Sequence, residues 1–402
     1  MHFRIALVAC AVCSAGAAPI AAQAPSPLTR AEAVQTAMER GARLGVARAD
    51  TLVASAQLIA ARARPNPTLS GSYSAAVPNY HVSADFPIDL PGLRQTRIRA
   101  AELGVQAAQY RFLSARAIIA LDADTTYTRA VAARDRLALS RRNALDADSL
   151  LHMVERRRDA GDAAEMDVAL ARVNAGQQQN IAVGDSLTWI SALLDLQGVL
   201  GMVSDRLEIR VADSLVMPPE AAVAGQATLT EAAAGLSLES ATLSARLQHR
   251  SIWSTPSVSL GFEYHDPGGQ TGILPTFGLG IGVPLFDRNR GAIALAEAEQ
   301  ARAAAELTLA RVQTRNQIAH AIRERENALS RVARDQQVVT SANLVVTMSL
   351  TAYREGAQSL PNVLQAQRTA RDVLAQYIDD LANAWIATAE LRALSLAPPS
   401  SP

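Results

Sequence analysis

The chain repeats itself once, with a period of about 195 residues, and this duplication restricts the possible folds more than any other feature. A helical opener begins at Leu28-Thr29 in the first half and at Leu229-Thr230 in the second. The Thr of each opener is a predicted helix N-cap, and an alanine-rich segment follows it. A period this long far exceeds that of solenoid repeats, so the sequence predicts a duplicated half-protein.

Two strand-like runs follow each opener. They cover residues 65–76 and 80–88 in the first half, and 256–265 and 275–285 in the second. Large apolar residues alternate there with Gly, Ser and other polar residues, which predicts one apolar face and one small or polar face. Strands of a membrane barrel have this pattern, and half-buried strands of a soluble sandwich share it. The polar, Gly-rich residues 265–272 are the predicted extracellular loop.

Six aromatic residues in these runs have two open roles, an interfacial girdle or ordinary packing within a barrel. These residues are Tyr73, Tyr80, Phe86, Phe262, Tyr264 and Phe277.

A proline-containing segment ends each strand pair, and a very long helical pattern follows it. Pro87 and Pro91-Gly92 occupy this place in the first half, and Pro284 does so in the second. Proline interrupts a strand ladder, so these segments are the predicted seam between strands and helices. The first helix is predicted from about residue 93 to 158, a length of roughly 100 Å. Such a helix fits only a rod, a bundle or a tunnel wall.

The first long helix also shows heptad-like spacing, which predicts a coiled-coil seam. The seam residues are Ile98, Ala101, Val105, Ala108, Phe112, Ala115 and Ile119.

A glycine marks the predicted end of each long helix. Gly161 and Gly356 lie in the equivalent segments 158–168 and 354–363, where a left-handed residue would stop the helix. Pro361 suits the first turn of the helix that returns. Each chain is therefore predicted to contain two antiparallel helical hairpins.

The N-terminal residues have the form of an export signal. A basic start, an apolar run and a small-residue region predict a signal peptide at 1–24. Both cysteines, Cys10 and Cys13, lie inside it, and residues 7–10 also have the form of a lipoprotein cleavage box, which would lipidate Cys10. Beyond the signal we expect no stretch apolar enough for a membrane-spanning helix, so a membrane protein of this sequence would cross as a barrel.

The doubled order of helix, strand pair, proline seam and Gly-tipped hairpin resembles the TolC family of outer-membrane efflux proteins, from about residue 28 to 396. The resemblance implies a mostly α fold with a small β part. Three protomers would each give four strands to a twelve-stranded barrel, continued by an α-helical tunnel. It also implies a homotrimer in the outer membrane that meets a periplasmic adaptor and an inner-membrane pump, as an exit duct for efflux or type I secretion.

The resemblance also divides the chain into two repeats. The first would cover 25–222, with a hairpin at about 93–202, and the second 223–396, with a hairpin at about 289–396 and a tail at 397–402. Residues 89–94 and Arg97 resemble the seam of the heavy-metal-efflux subgroup. Leu93 departs from that pattern, because a basic residue is expected there.

Composition and motifs favour neither an enzyme nor a nucleic-acid-binding protein. Basic and acidic residues balance at 38 each, which gives no net field for nucleic acid. The six His are scattered and no metal-binding, nucleotide-binding or nucleophile motif occurs in a suitable context, so no enzyme activity, cofactor or metal site is predicted.

The hairpin tips hold the candidate functional residues. Charged side chains there are predicted to line a periplasmic gate, although charges at a helix end are often only a solvated cap. The gate candidates are Asp159, Asp162, Glu165, Asp167, Arg158, Arg354 and Glu355. Gly161 and Gly356 are predicted to contact the adaptor.

Two other functions stay open on the sequence alone. An elongated periplasmic coiled-coil adaptor would share the long helices, and a secreted hydrolase would share the export signal. The transported substrate is not predicted.

Overall fold

The computed structural model describes residues 26–221, 227–252, 255–265, 268–269 and 272–398. The predicted signal peptide at 1–24, with Cys10, lies outside these residues. So do parts of the predicted extracellular loop and of the C-terminal tail.

The described residues form seven helices and six strands. The first half contains β1 (Ser26–Leu28), α1 (Arg30–Arg40), α2 (Ala42–Arg62), β2 (Thr68–Tyr73), β3 (Tyr80–Pro87), α3 (Pro91–Asp159), α4 (Glu165–Val199) and β4 (Ile209–Val211). The second half contains α5 (Leu229–Arg250), β5 (Ser257–Tyr264), β6 (Ile273–Gly280), α6 (Arg290–Arg354) and α7 (Leu360–Leu394). The order of helix, strand pair, long helix and return helix therefore occurs twice, and the predicted fold class is confirmed.

The long helices begin and end where proline and glycine allow. Helix α3 has 69 residues, which corresponds to about 100 Å, and Pro91 occupies its first turn, where the missing N–H is not needed. It stops just before Gly161, whose φ is 85°. Helix α6 stops in the same way before Gly356, with φ 76°, and Pro361 lies in the first turn of α7.

The predicted heptad seam of α3 is buried at two of its positions and half-buried at the other five. Of its seven residues only Ala108 and Ile119 are buried, whereas Ala100, Leu103 and Ala107 are buried outside it. Helix α3 packs against α2, α4, α5 and α7 as well as α1. Its buried side chains therefore change face along the helix instead of following one stripe.

The helix of the first opener is capped at the predicted residue, whereas the helix of the second is capped two residues before the predicted one. The Thr29 side chain accepts a hydrogen bond from the Glu32 backbone N–H, and Glu32 reaches back to the N–H of Thr29. Thr228, and not Thr230, is the N-cap of α5, where it accepts from the N–H of Glu231. The structure places Thr230 inside the first turn.

A small parallel sheet, β1 with β4, was missed because three-residue strands are too short to show alternation. It covers a core cluster that includes the fully buried Tyr127. The Tyr127 hydroxyl donates to the Leu28 carbonyl at 2.8 Å. Arg30 binds Asp124 and Thr128 of α3, and its guanidinium carbon lies 3.8 Å from the centre of the Trp385 ring on α7. The N-terminal segment thus ties the two halves together.

Helix α2 contradicts the expectation about membrane-spanning stretches. Residues Arg43–Arg62 are long and apolar enough to pass that test by length and composition, and only 11% of the apolar window is buried. Apolar side chains remain exposed along the helix, among them Leu52 at 69% and Ile59 at 72%.

Candidate functional site: a two-faced sheet and paired hairpin tips

The four-stranded sheet is antiparallel, with the strand order β2-β3-β5-β6. Its register places Phe86 opposite Val258 and Leu260 opposite Phe277. Strand β6 ends at Gly280, so the predicted run to residue 285 was too long. Pro284 cannot donate a ladder hydrogen bond, which is consistent with an early end.

One face of this sheet is apolar and exposed. Phe277 is 80% exposed and Leu279 is 83% exposed. The six predicted aromatic residues all lie on this face, and Tyr80 stacks between Tyr73 and Tyr264, with ring centres 5.1 and 6.3 Å away. Such a face is stable next to lipid or another apolar surface, and not in water.

The opposite face carries small and polar side chains at close quarters. A Cβ added at Gly261 would lie 2.7 Å from both the Val82 carbonyl oxygen and Thr276 Oγ1. Ser83 is only 9% exposed. The sheet is therefore crowded on its polar side and open on its apolar side, and we call these two sides the concave face and the convex face.

Polar side chains contact each other across the strands on this concave face, and one such contact joins the hydroxyls of Ser70 and Ser83 at 2.8 Å. His81 Nδ1 lies 3.1 Å from Glu263 Oε1, and the Ser259 hydroxyl donates to Asp85. Sequence reasoning did not single out these residues. Their place on the polar face follows from the alternation, but their pairing depends on the register between neighbouring strands.

Both edges of the sheet are open within the described part of the chain, because β2 and β6 each pair with one strand. An unpaired strand edge presents free backbone donors and acceptors and acts as a template for a further strand.

The first predicted seam is held by an ion-pair cluster. Asp89 lies 2.8 Å from Arg97 and 3.6 Å from Arg94, and Arg97 also donates to the Ala61 carbonyl at 2.9 Å. This cluster fixes the angle between the strand that ends at Pro87 and the helix that begins at Pro91. Gly92 is exposed, with open space around it.

The second seam is held differently. Pro284 follows β6, and Asn289 precedes α6 with φ 60°. The Asn289 side chain donates to the Gln248 carbonyl of α5 at 3.1 Å. Asn289 thus contacts the end of the preceding helix as Arg97 does in the first seam, but among the described residues of the second seam no ion pair corresponds to that of Arg97 with Asp89.

The two hairpin tips pack against each other. A cluster of buried side chains joins the ends of α3 and α6 with the starts of α4 and α7, and it contains Leu150, Val154, Val168, Ala171, Tyr353, Leu360 and Val363.

Arg157 and Tyr353 form a contact across the tips that sequence reasoning missed. Arg157 Nη1 donates to the Tyr353 carbonyl at 2.5 Å, and its guanidinium carbon lies 4.8 Å from the Tyr353 ring centre. Burial raises the pKa of the Tyr353 phenol, Arg157 lowers it and Asp167 raises it. The two residues are 196 positions apart, and no local signal links them.

The predicted gate residues fall into three groups, which are paired, exposed or half-buried. Arg158 binds Asp159 at 2.7 Å and Glu165 at 3.4 Å, and these contacts, Asp159 first, raise the pKa of the guanidinium. Asp162 is exposed, as are Arg354 and Glu355. Asp167 is half-buried beside Tyr353. Gly161 and Gly356 are exposed, with open space at the position of a Cβ.

Among the described residues, no group of three or more His, Cys, Asp or Glu side chains is arranged to hold a metal ion.

The sequence pattern of the outer membrane efflux protein family matches residues 33–202 and 224–395. The chain belongs to this family. Membership places the efflux protein in the outer membrane, as predicted, and confirms the resemblance drawn from the doubled element order. It also accords with a role other than catalysis.

The efflux protein is similar to named exporters. It is 25% identical over 310 residues to the pyoverdine export outer membrane protein OpmQ of Pseudomonas aeruginosa, covering 72% of this chain and 63% of that protein. It is 27% identical to the nickel-cobalt-cadmium resistance protein NccC of Alcaligenes xylosoxydans xylosoxydans, covering 66% and 58%. The chain thus spans less than two thirds of the length of these relatives.

Solved structures share the fold of the efflux protein. CusC superposes with a TM-score of 0.76 at 16% identity, covering 93% of each chain. The outer membrane protein VceC of Vibrio cholerae gives 0.72 at 17% identity, covering 92% of this chain and 96% of that one.

Proposed function

We propose that this protein is one protomer of an outer-membrane exit duct, a passive conduit driven by an inner-membrane pump in a tripartite efflux or type I secretion system. One observation carries the proposal. A two-faced sheet with two open edges continues directly into helices of about 100 Å. Each half of the chain contributes two strands of the sheet and one of these long helices.

Closing the open edges requires further copies of the chain. In a homotrimer, β6 of each protomer would pair with β2 of the next, which gives a closed barrel of twelve strands without free edges. The apolar convex face would then meet lipid and the polar concave face would line water. The repeats 25–222 and 223–396 would each give two strands and one hairpin to this ring.

The hairpin tips are the proposed contact with a periplasmic adaptor, through which the duct would reach its pump. Gly161 and Gly356 are exposed and have no side chain, so a partner helix could approach their backbone closely. The coiled-coil adaptor and the secreted hydrolase that the sequence left open find no support in the family to which the chain belongs.

The same tips are the proposed gate. Threefold symmetry would repeat Asp162 and Asp167 as rings of carboxylates, which favour cations. The contact between Arg157 and Tyr353 would hold the two hairpins of one protomer together, and opening would require its loss.

The relatives suggest two classes of cargo. One relative is named for pyoverdine export and another for nickel, cobalt and cadmium resistance. The sequence of the seam at residues 89–94 favours the second class, because it resembles the heavy-metal-efflux subgroup. We propose that the duct itself binds none of these tightly and that the pump selects the substrate.

Single-channel recording in planar bilayers tests the duct and the gate together. Wild type should form small cation-selective pores, and Asp162→Asn and Asp167→Asn should each lower that selectivity. If neither substitution changes the cation selectivity, the protein would still be a duct, but Asp162 and Asp167 would not form its gate. A purified protein that never inserts would overturn the duct.

A further inference from the structure

The concave face of the sheet carries one ion pair that links the two halves of the chain. His81 on β3 and Glu263 on β5 are direct partners in the register, with 3.1 Å between Nδ1 and Oε1. Their side chains are 37% and 30% exposed, so the pair is supported by the sheet but remains open to the space beside it.

The pair lies at the end of the sheet remote from the helices. Its next rung is Tyr80 with Tyr264, directly before the connections from β2 to β3 and from β5 to β6. The long helices start at the opposite end, beyond Pro87 and Gly280.

Few other charges face the pair. Ser72 of β2 lies opposite His81, and Leu274 of β6 lies opposite Glu263. Asp85, held by Ser259, is the one other titratable group among the described side chains of this face, and it lies four residues from His81. His265, beyond the end of β5, packs on Tyr264 with ring centres 4.0 Å apart.

We propose that His81 and Glu263 form a proton-controlled charge filter near the outer mouth of the duct. The proposal rests on the proposed function, because it requires the concave face to line the lumen. With His81 neutral, each pair carries the single negative charge of Glu263. With His81 protonated, the pair is neutral.

A trimer would carry three such pairs at one height. Imidazole groups in general take up their proton within about pH 5 to 8. Protonation of the imidazole in all three pairs would change the ring from three negative charges to none. At physiological ionic strength a charge acts over about 8 Å, which makes the filter a local property of the mouth. Small cations would therefore be favoured at high pH, and the preference would fall as the pH falls.

Reversal potentials measured across a KCl gradient at about pH 8 and pH 5 test this proposal. In wild type we expect the permeability ratio of K⁺ to Cl⁻ to fall by roughly twofold at the lower pH. His81→Gln should keep the higher ratio at both values, which removes most of that change. Glu263→Gln should lower the ratio at both values while the pH dependence remains, because His81 still gains its charge.

A second His–Glu pair provides a matched control. His249 lies 2.9 Å from Glu297, on α5 and α6 and outside the sheet. His249→Gln should leave the change between the two pH values as in wild type. The proposal is overturned if His81→Gln keeps the full wild-type change, or if His249→Gln removes as much of it.

Cysteine substitution tests separately whether the concave face lines the lumen. Both native cysteines lie in the predicted signal peptide, so each variant would carry a single thiol. A charged, water-soluble thiol reagent should reduce the conductance of Ser72→Cys and leave that of Val82→Cys, on the convex face, unchanged. The reverse result would overturn the filter although pores form, whereas the absence of any pore would refute the proposed function instead.

Discussion

Arg157 is held differently from the two arginines beside it. Arg156 contacts only the His152 carbonyl of its own helix, and Arg158 pairs with acids of its own hairpin. Arg157 alone reaches the other hairpin, at Tyr353. Removing the Arg157 side chain would remove a charge-assisted hydrogen bond and a cation–π contact, which together contribute about 1–3 kcal/mol to the free energy that holds the tips together.

We therefore expect Arg157→Ala to open the periplasmic end more often. Single-channel recording should show a higher mean conductance than wild type, and cells that carry the variant should admit more of a large antibiotic. Arg156→Ala is the control and should behave as wild type. Equal conductance in both variants and wild type would mean that the Arg157 contact does not restrain the tips.

The sequence showed where the tip charges lie but not which of them cross between hairpins. Gly161 and the run of charges around it are visible in one segment, and local rules apply to them. The partner of Arg157 is Tyr353, and their contact depends on how two coiled coils pack in space. Asp159, Glu165 and Arg158 proved to be satisfied within one tip, which local sequence cannot decide.

A pair of acids between α6 and α7 gives a pH-dependent prediction. Burial and then the neighbouring Asp380 raise the pKa of Asp335, and Asp335 Oδ2 has no hydrogen-bond partner among the described residues. Burial alone would raise the pKa of Asp380, but hydrogen bonds from Gln376 and Asp335, together with Arg331, hold it below its usual value. Asp380 is 3% exposed, and Arg331 binds it at 2.9 Å.

An acid whose pKa is raised by folding stabilises the folded state while it is protonated, and this contribution is lost as the pH rises through the raised pKa. Asp335→Asn keeps a neutral donor there at every pH. We expect the variant to gain up to about 1 kcal/mol over wild type near neutral pH, and the gain to shrink toward pH 4.

Asp380→Asn should have the opposite effect. A lowered pKa gives stability that is present above the unfolded value and lost as the pH falls, so this variant should be destabilised most near neutral pH. The free energy of unfolding in detergent, measured at several pH values, tests the predictions for both variants. Glu326→Gln, at an exposed acid of α6, should stay within about 0.5 kcal/mol of wild type. A loss of stability in Asp335→Asn at neutral pH would refute the raised pKa of Asp335 in the folded state.

At the scale of elements, the close packing of the strands on the concave face depends on the absence of a side chain at Gly261. Gly261→Val would place atoms within 2.7 Å of the Val82 carbonyl and Thr276, and backbone cannot move away cheaply. We expect this variant to lose stability by about 1–3 kcal/mol and to form less heat-stable oligomer on gels.

Gly71→Ala is a matched control in the same sheet. Gly71 pairs with Val82, and a Cβ there would meet nothing within 4 Å. It should assemble like wild type. If Gly261→Val also does so, the crowding on the concave face does not limit closure of the sheet.

Features that depend on nearby residues in the sequence, such as helix ends, could be predicted. Features that depend on packing between distant elements could not. Helix ends at Gly161 and Gly356 and helix starts at Pro91 and Pro361 follow from backbone chemistry. The faces of β5 followed from alternation. The buried positions of α3 could not be predicted in the same way, because four other long elements pack on it in turn.

At the scale of the whole molecule, a single chain leaves the apolar side of α2 without a covering surface. The exposed apolar side chains of this helix, with Val46 at 68% and Leu52 at 69%, form a surface that a water-soluble protomer would not keep. Its other contacts are with α3 and α1. In a ring of three protomers, the free side of α2 would face the next copy.

The proposed trimer predicts that charges on α2 prevent assembly. The double substitution Leu52→Glu with Ile59→Glu would remove about 1.5–3 kcal/mol of association free energy for each side chain that the next copy buries. Threefold symmetry repeats this loss at each of the interfaces. Light scattering in detergent should give three times the mass of one chain for wild type and one chain for this variant. Leu52→Met with Ile59→Met, which keeps both positions apolar, should remain trimeric. A Glu variant that stays trimeric and as heat-stable as wild type would show that the next copy does not cover this side of α2, and that the lipid or the adaptor does.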